Sequence, residues 1–569
     1  MATKSAAGNH TFYGDPGFSD FLRRAFGRHM GFESDDFEKP MIGICDTSSE
    51  VNRCHAHLGG IIEAVKRGIV MAGGIPLTFP TISLGEPFTS PTTMMYRNLA
   101  AMDTEEMIRS QPLDGVVLLC GCDKVTPSQL MAVASADVPA IMVSGGPMAN
   151  GKYKGNVLGA CTDCRFFWQE HRAGKIDAEE LEVINEALAP TAGHCMVMGS
   201  ASTMAACTEA LGMMLPGGAA IPATNHLRLR HAQESGREIV RLVQQQVLPS
   251  QIMTYEAFEN AIRVAMAIGG STNAVIHLIA VARRLGIDKV DLDLFDALSR
   301  ETPFLANLRP AGKYQMEDFF HAGGVPMVMK HLAPFLHREI LTVSGQTVGE
   351  NLAQVKVFEE SYEVIRPLAD PLYADGGIAV LRGNLAPRGA VIKPHAASDH
   401  LLRHKGRAVV FSSIADMEER IDDPDLDIKA DDIMVLQNGG PVGAPGMPEA
   451  GMLPIPKKLL AEGVRDIVRI SDARMSGTAF GTVVLHVSPE AGIGGPLGWV
   501  KNGDMIDLDV PGRQLNLLVP EAELAARRAA WSAPANPFTR GFRKLFIEHV
   551  QQADDGCDFD FLVDDQGAG

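Results

Sequence analysis

The sequence contains no apolar run long enough to span a bilayer, so its composition does not describe a helical membrane protein. It has no excess of positive charge either. Against 69 Asp and Glu stand 51 Lys and Arg, and the net charge of −18 has the wrong sign for a chain that grips nucleic acid through a basic surface. The first residues, MATKSAAGNHTFYGDPGF, lack the apolar core of a signal peptide and the Arg-rich pattern of a transit peptide, and the expected compartment is the cytosol. No period of about 20 to 50 residues marks a repeat protein. Cysteine is sparse, nine in 569 residues, which is no disulfide framework. Each Cys is therefore core filler, a metal ligand or a reactive thiol, and eight of the nine precede residue 208.

What the chain does have is a set of apolar runs that end in chemistry. Val116 to Leu119 reads as a buried strand, followed at once by Cys120-Gly121-Cys122-Asp123-Lys124. A soft and a hard metal ligand side by side where a strand stops suggest a metal-dependent site, because the carboxyl ends of strands face the ligand crevice in open α/β sheets. Cys120, within the strand proper, is expected in the core. Met41 to Ile44 is another such run, leading through Cys54, His55 and His57 into a helix that continues from Ile61 to Arg67. Cys54 is expected near a helix N-terminus, where the dipole favours a thiolate. His55 and His57, two apart, face different directions and are weak candidates for joint ligation. Gly73 to Ile82 ends shortly before Glu86, residues 92 to 110 read as a helix, and Val138 to Val143 is a further strand. Strand, helix, strand at this spacing predicts parallel βαβ units. Residues 1 to 40, with a helix over Asp20 to His29, read as an arm packed on the body or on a neighbouring subunit.

Cys161-Thr162-Asp163-Cys164 is a CxxC without a second pair at zinc-ribbon distance, which favours a structural role. Gly193-His194-Cys195 leads into a helix, and Gly269-Gly270-Ser271-Thr272-Asn273 precedes another, offering either an anion site or a plain cap. After a looser stretch the pattern changes near residue 373 to short strands with few long helices, which predicts a second, β-richer domain. Two of its loops stand out. Gln437 to Glu449 holds seven Gly or Pro in thirteen positions around one carboxylate, and Ser471 to Gly481 gathers hydroxyls.

Arg53-Cys54-His55-Ala56-His57-Leu58, Gly85-Glu86, Gly121-Cys122-Asp123-Lys124, Gly193-His194-Cys195, Gly269 to Ala274, Gly446-Met447-Pro448-Glu449 and Ser471 to Gly477 occur in an order that resembles the dihydroxy-acid and sugar-acid dehydratases over nearly the whole chain. The resemblance implies an α/β fold in two domains, 1–372 with parallel βαβ units and 373–569 β-rich and barrel-like, with the active site at their interface. It implies that Cys54, Cys122 and Cys195 hold a [2Fe–2S] cluster with one iron left open, a Lewis acid rather than an electron carrier. It implies Mg²⁺ on Glu86, Asp123 and Glu449, with Lys124 carbamylated to present a carboxylate-like group. Ser476 would be the general base and Thr478 its neighbouring hydroxyl.

The reaction implied is loss of water from a 2,3-dihydroxy acid to a 2-keto acid. His-Ala-His after Cys54, where branched-chain-pathway members have Asn-x-His, and Asn438-Gly439-Gly440-Pro441, where Glu more usually precedes Gly-Pro, lean toward aldonates such as arabinonate or xylonate. The runner-up is the dehydratase of branched-chain amino acid biosynthesis, acting on 2,3-dihydroxyisovalerate. A non-catalytic iron–sulfur redox or sensor protein is the alternative of another class. The family also implies a homodimer or homotetramer, with no nucleic-acid or membrane partner.

Overall fold

The computed structural model describes residues 15–563 apart from 358, 536 and 537. The first fourteen residues of the expected arm thus lie outside the described residues. Its helix runs Pro16–His29, capped by Asp15, whose carboxylate accepts from the Gly17 and Phe18 amides. Among the described residues no helix is long and apolar enough to cross a membrane.

The strands of the first half are β1 (Met41–Asp46), β2 (Ile75–Pro80), β3 (Gly115–Cys120) and β4 (Ala140–Ser144). They form one parallel sheet in the order β2-β1-β3-β4. The helix Leu58–Met71 connects β1 to β2, and Val125–Ala136 connects β3 to β4, as right-spaced βαβ units require. Every residue of β3 and β4 is buried, which is why these strands read as continuous apolar runs rather than alternating ones. A small hairpin, β5 (Gly151–Tyr153) and β6 (Asn156–Leu158), follows, and then helices dominate up to residue 353.

From residue 379 the structure becomes a mixed sheet of eight strands. They are β7 (Ala379–Leu381), β8 (Gly389–Ile392), β9 (Arg403–Phe411), β10 (Ile433–Leu436), β11 (Val468–Ser471), β12 (Val483–Ser488), β13 (Met505–Asp509) and β14 (Gln514–Leu517). The order is β14-β13-β9-β10-β11-β12-β8-β7, with β9 to β12 parallel and the outer pairs antiparallel. The two outermost strands meet. Arg382 N–H donates to Arg513 O at 3.0 Å and Leu515 N–H to Arg382 O at 2.9 Å, so the sheet curls back on itself and hides its edges.

The C-terminal segment closes on the first half. The buried guanidinium of Arg284 grips the buried Asp558 carboxylate at 2.5 and 3.1 Å, and Arg97 donates to the Gly556 and Cys557 carbonyls at 2.9 Å. A buried cation that loses its counter-charge is strongly destabilising. Asp558→Ala is expected to lower the unfolding free energy by about 3 kcal/mol in urea titrations; a loss under about 1 kcal/mol would show that Glu105, 3.2 Å from Arg284, suffices alone.

Candidate functional site

The loops that leave the carboxyl ends of both sheets share one cavity of about 270 Å³. After β1 comes Cys54, after β2 Glu86, after β3 Cys122 and Asp123; after β10 comes Glu449, and after β11 Ser476 and Thr478, all on its wall. Cys195 joins them from a segment that pairs with β4's continuation: His194 bridges Pro147, and Gly193, at φ +120°, packs where a Cβ would stand 2.7 Å from the Met148 nitrogen.

The turn that presents Cys122 is built by His55. Its Nδ1 donates to Thr47 O at 2.9 Å, and its Nε2 accepts the Cys122 amide at 2.8 Å. Burial drives its pKa down to about 4, so the ring stays neutral and can play both roles. His57 likewise bonds Gly145 O at 2.8 Å. Both histidines position backbone. The expected helix-dipole activation of Cys54 does not hold: Cys54 lies in the 3₁₀ turn Arg53–His55, ahead of the helix that starts at Leu58. A hydrogen bond with Cys122, and then burial, push its thiol well above the usual range. Cys195 also stands clear of its helix, which begins at Ser200. Cys120 is core, as are Cys45, Cys207 and Cys557.

Lys124 is fully buried, with Nζ 2.8 Å from Asp123 and 4.0 Å from both Glu86 and Glu449. Thr92 donates to Glu86 at 2.7 Å, and Thr93 bonds its other oxygen. Burial opposes ionisation of Glu86, but Lys124 and Arg474 outweigh it and hold the carboxyl below its ordinary value. Glu449 goes the other way, raised by burial and by Glu86. Arg474 donates to Glu449 at 3.1 Å, to Met447 O at 2.8 Å and to Thr92 at 3.0 Å.

The hydroxyl loop is tightly held. Ser476 Oγ and Thr478 Oγ1 are 2.8 Å apart. Between them, Gly477 packs so closely that a Cβ would lie 2.5 Å from Ser271 Oγ and 2.6 Å from the Ser200 nitrogen. The Gly-Gly-Ser-Thr-Asn stretch is no open anion site, since Ser271 N–H is taken by Thr203 at 3.0 Å. Asn273 instead braces the loop, donating to Ser200 at 2.8 Å and Met475 O at 3.2 Å. The Gly- and Pro-rich loop is fixed too, its Val442 and Gly443 amides held by Glu490 at 2.8 to 3.1 Å.

Three features on the wall or just behind it lie outside the sequence expectations. Cys161 and Cys164 line the same cavity, with Cys161 Sγ 3.3 Å from Cys195 Sγ, a juxtaposition that no sequence spacing announces. Arg165 lines it beside them. Lys393 is buried, 3.4 Å from Gly477 O.

The donor types suit the two groups that the sequence motifs imply, since one wall carries both the soft thiols Cys54, Cys122 and Cys195 and the carboxylates Glu86, Asp123 and Glu449. Among the described residues no three His, Cys, Asp or Glu side chains converge on a single ion position; the carboxylates surround the Lys124 ammonium instead.

A sequence model described as the N-terminal part of dihydroxy-acid/6-phosphogluconate dehydratases matches residues 39–351, and one for the C-terminal part matches 363–557. The chain is 51% identical to an L-arabinonate dehydratase of Rhizobium leguminosarum bv. trifolii (strain WSM2304), over 97% of this chain and 95% of that protein. It is 48% identical to an L-arabonate dehydratase of Azospirillum brasilense, over 100% and 98%. To a dihydroxy-acid dehydratase of Halothermothrix orenii it is 40% identical, over 95% and 98%. The chain belongs to the dihydroxy-acid/6-phosphogluconate dehydratase family, whose enzymes are hydro-lyases.

Burial brings the Lys393 pKa from 10.5 to about 7. Unfolding therefore takes up a proton between these values; stability rises with pH across that window and is lost as pH falls through about 7. Lys393→Met is expected to be more stable than the wild type at pH 7, with the gap shrinking by on the order of 3 kcal/mol by about pH 9.5 in paired denaturation curves. A gap that does not change with pH would mean that Lys393 is charged in the fold.

Proposed function

We propose that this protein dehydrates 2,3-dihydroxy sugar acids, of the arabinonate or xylonate type, to 2-keto-3-deoxy acids. The observation that carries the reading is the Ser476–Thr478 hydroxyl pair on the wall that also bears the three thiols and three carboxylates. Identity to arabinonate dehydratases, 51% and 48% against 40% for the dihydroxy-acid enzyme, supports the sugar-acid branch. A sensor protein has no use for a braced hydroxyl pair facing carboxylates.

Cys54, Cys122 and Cys195 would hold a [2Fe–2S] cluster, and Glu86, Asp123 and Glu449, with Lys124 carbamylated, would hold Mg²⁺. When bound, these groups supply Lewis-acid stabilisation of the substrate's carboxylate end and of the departing hydroxide. Ser476, as its alkoxide, takes the proton from C2. The C–H electron pair becomes the C2–C3 double bond, the C3–O pair leaves with the oxygen, and the enol tautomerises to the keto acid. Thr478, 2.8 Å away, donates to Ser476 Oγ and steadies the charge that forms there. Arg474 and Asn273 keep Glu449 and the Ser476 loop in register. The active site lies between two domains divided near residue 373. The exposed Phe21 and Phe26 of the first helix, with Met30 just past its end, suit packing in a homo-oligomer.

Assays of keto-acid formation from aldonates and from 2,3-dihydroxyisovalerate test the reading, and a loaded protein inert toward all of them sinks it. Ser476→Ala is expected to keep cluster absorbance while turnover falls by about 10³-fold or more; near-normal turnover would place the base elsewhere. Cys54→Ser, Cys122→Ser and Cys195→Ser should each lose iron on anaerobic purification, whereas Cys161→Ser and Cys164→Ser should retain it. Iron lost from the latter two would move the ligand set toward the helix they head.

A further inference from the structure

Among the described residues Arg165 is the one Lys or Arg side chain on the cavity wall, beside the Cys161 and Cys164 thiols and with no carboxylate partner. Its Nε is buried without a hydrogen-bond partner, and among the described residues the side chain makes no ion pair. The other cations near the site are committed: Lys124 to three carboxylates, Arg474 to Glu449, Met447 O and Thr92. The acids on and around its own helix, Thr162–Arg172, are equally committed. Asp163 serves Arg309 and the Gly159 amide, Glu170 serves Arg465 and Lys175, and Asp466 serves Arg469. A guanidinium presents five donors and no acceptor, and a buried donor left unmade is costly. His194, on the same wall, has a complementary gap: its Nδ1 lies 3.2 Å from the Cys195 carbonyl, to which it can only donate, so Nε2 is an acceptor, and it too is buried without a partner.

A donor and an acceptor, both unfilled on one cavity wall, match a hydroxyl, which needs one of each. The substrate's carboxylate end is already provided for by Glu86, Asp123, Lys124 and Glu449 in the proposed function. We propose that Arg165, with His194 on the same cavity wall, recognises the hydroxyl groups of the substrate chain beyond C3 and so selects polyhydroxy acids over acids with an alkyl branch. The assignment rests on the sugar-acid reading above. The two methyl groups on C3 of 2,3-dihydroxyisovalerate supply no oxygen to either residue, and a site built to bond a hydroxyl rejects the analogue without one far more strongly than an apolar pocket rejects an extra methylene.

The test compares wild type, Arg165→Leu and Arg165→Lys as loaded holoenzymes, matched for iron content, on three substrates: a pentonate, 2,3-dihydroxyisovalerate, and glycerate, which has no carbon beyond C3. Arg165→Leu is expected to lose about 100-fold or more in kcat/KM on the pentonate, with glycerate and dihydroxyisovalerate changed by less than about threefold, so that the selectivity ratio collapses. Arg165→Lys, which keeps a donor, should fall between. An equal loss on all three substrates overturns the assignment, because it would place Arg165 at the carboxylate common to them or in a structural role. Unchanged selectivity in Arg165→Leu overturns it as well. A wild-type enzyme that prefers dihydroxyisovalerate to every aldonate overturns the sugar-acid reading itself, an outcome distinct from both.

Discussion

With Lys124 unmodified, its buried ammonium is the constraint on which the site depends. A charge with no solvent must be met by opposite charge, and it is met from three loops: Asp123 beside it, Glu86 after β2 and Glu449 after β10. Two of those loops belong to the parallel sheet and one to the closed mixed sheet. Pairing Lys124 therefore fixes the two halves of the chain against each other. Arg474 extends the same network, tying Glu449 to Thr92, which itself donates to Glu86. The carboxylates are thus held by cations and hydroxyls on every side, and one is pushed below its ordinary pKa while its neighbour is raised. Such a split is what a cluster of like charges gives when burial and cations act on its members unequally.

The fold was legible where burial is total. The strands β1, β3 and β4 match apolar runs ended by polar loops, because a strand covered on both faces leaves a continuous apolar signature. Strand β12 is not foreseen, although Val483–Ser488 is fully buried, because a short apolar run has no periodicity that tells strand from helix. β13 and β14 were missed for another reason: with alternating burial, Met505–Asp509 and Gln514–Leu517 give weak signals at this length. The curl of the second sheet rests on backbone contacts between Arg382, Arg513 and Leu515, more than 130 positions apart, which no local pattern carries.

For the site, order and chemistry were legible and partnership was not. The motifs that end strands β1, β2, β3, β10 and β11 all face one cavity, as the rule for carboxyl ends of parallel strands requires. The two histidines after Cys54 were read as weak ligand candidates, whereas each bonds backbone, one of them shaping the turn that presents Cys122. Likewise, the Gly-Gly-Ser-Thr-Asn stretch turned out to be a brace rather than a ligand site, because Asn273 finds Ser200 and Met475 in segments remote in sequence. Cys161 illustrates the general difficulty. A CxxC with no companion looks structural until the fold sets its first sulfur 3.3 Å from Cys195.

The proposed breaking of C2–H and C3–O on adjacent carbons requires groups from both halves of the chain to be placed to within about half an ångström. Long side chains are poor instruments for that, since each adds rotamers that must be frozen. This chain relies on close backbone approach instead. Gly477 meets Ser200 and Ser271 where a Cβ would overlap both, Gly199 leaves room for Thr478 where a Cβ would come within 2.7 Å of its methyl, and Gly446, at φ +89°, lies against Met95 with no space for one. These contacts set the Ser476–Thr478 loop and the Glu449 loop directly on the first half of the chain. Because there is no slack to take up, any side chain at these glycines must move the hydroxyl pair or the carboxylate relative to Cys122 and Asp123. The position of the proposed base is therefore fixed by what is missing at three residues as much as by the side chains that are present.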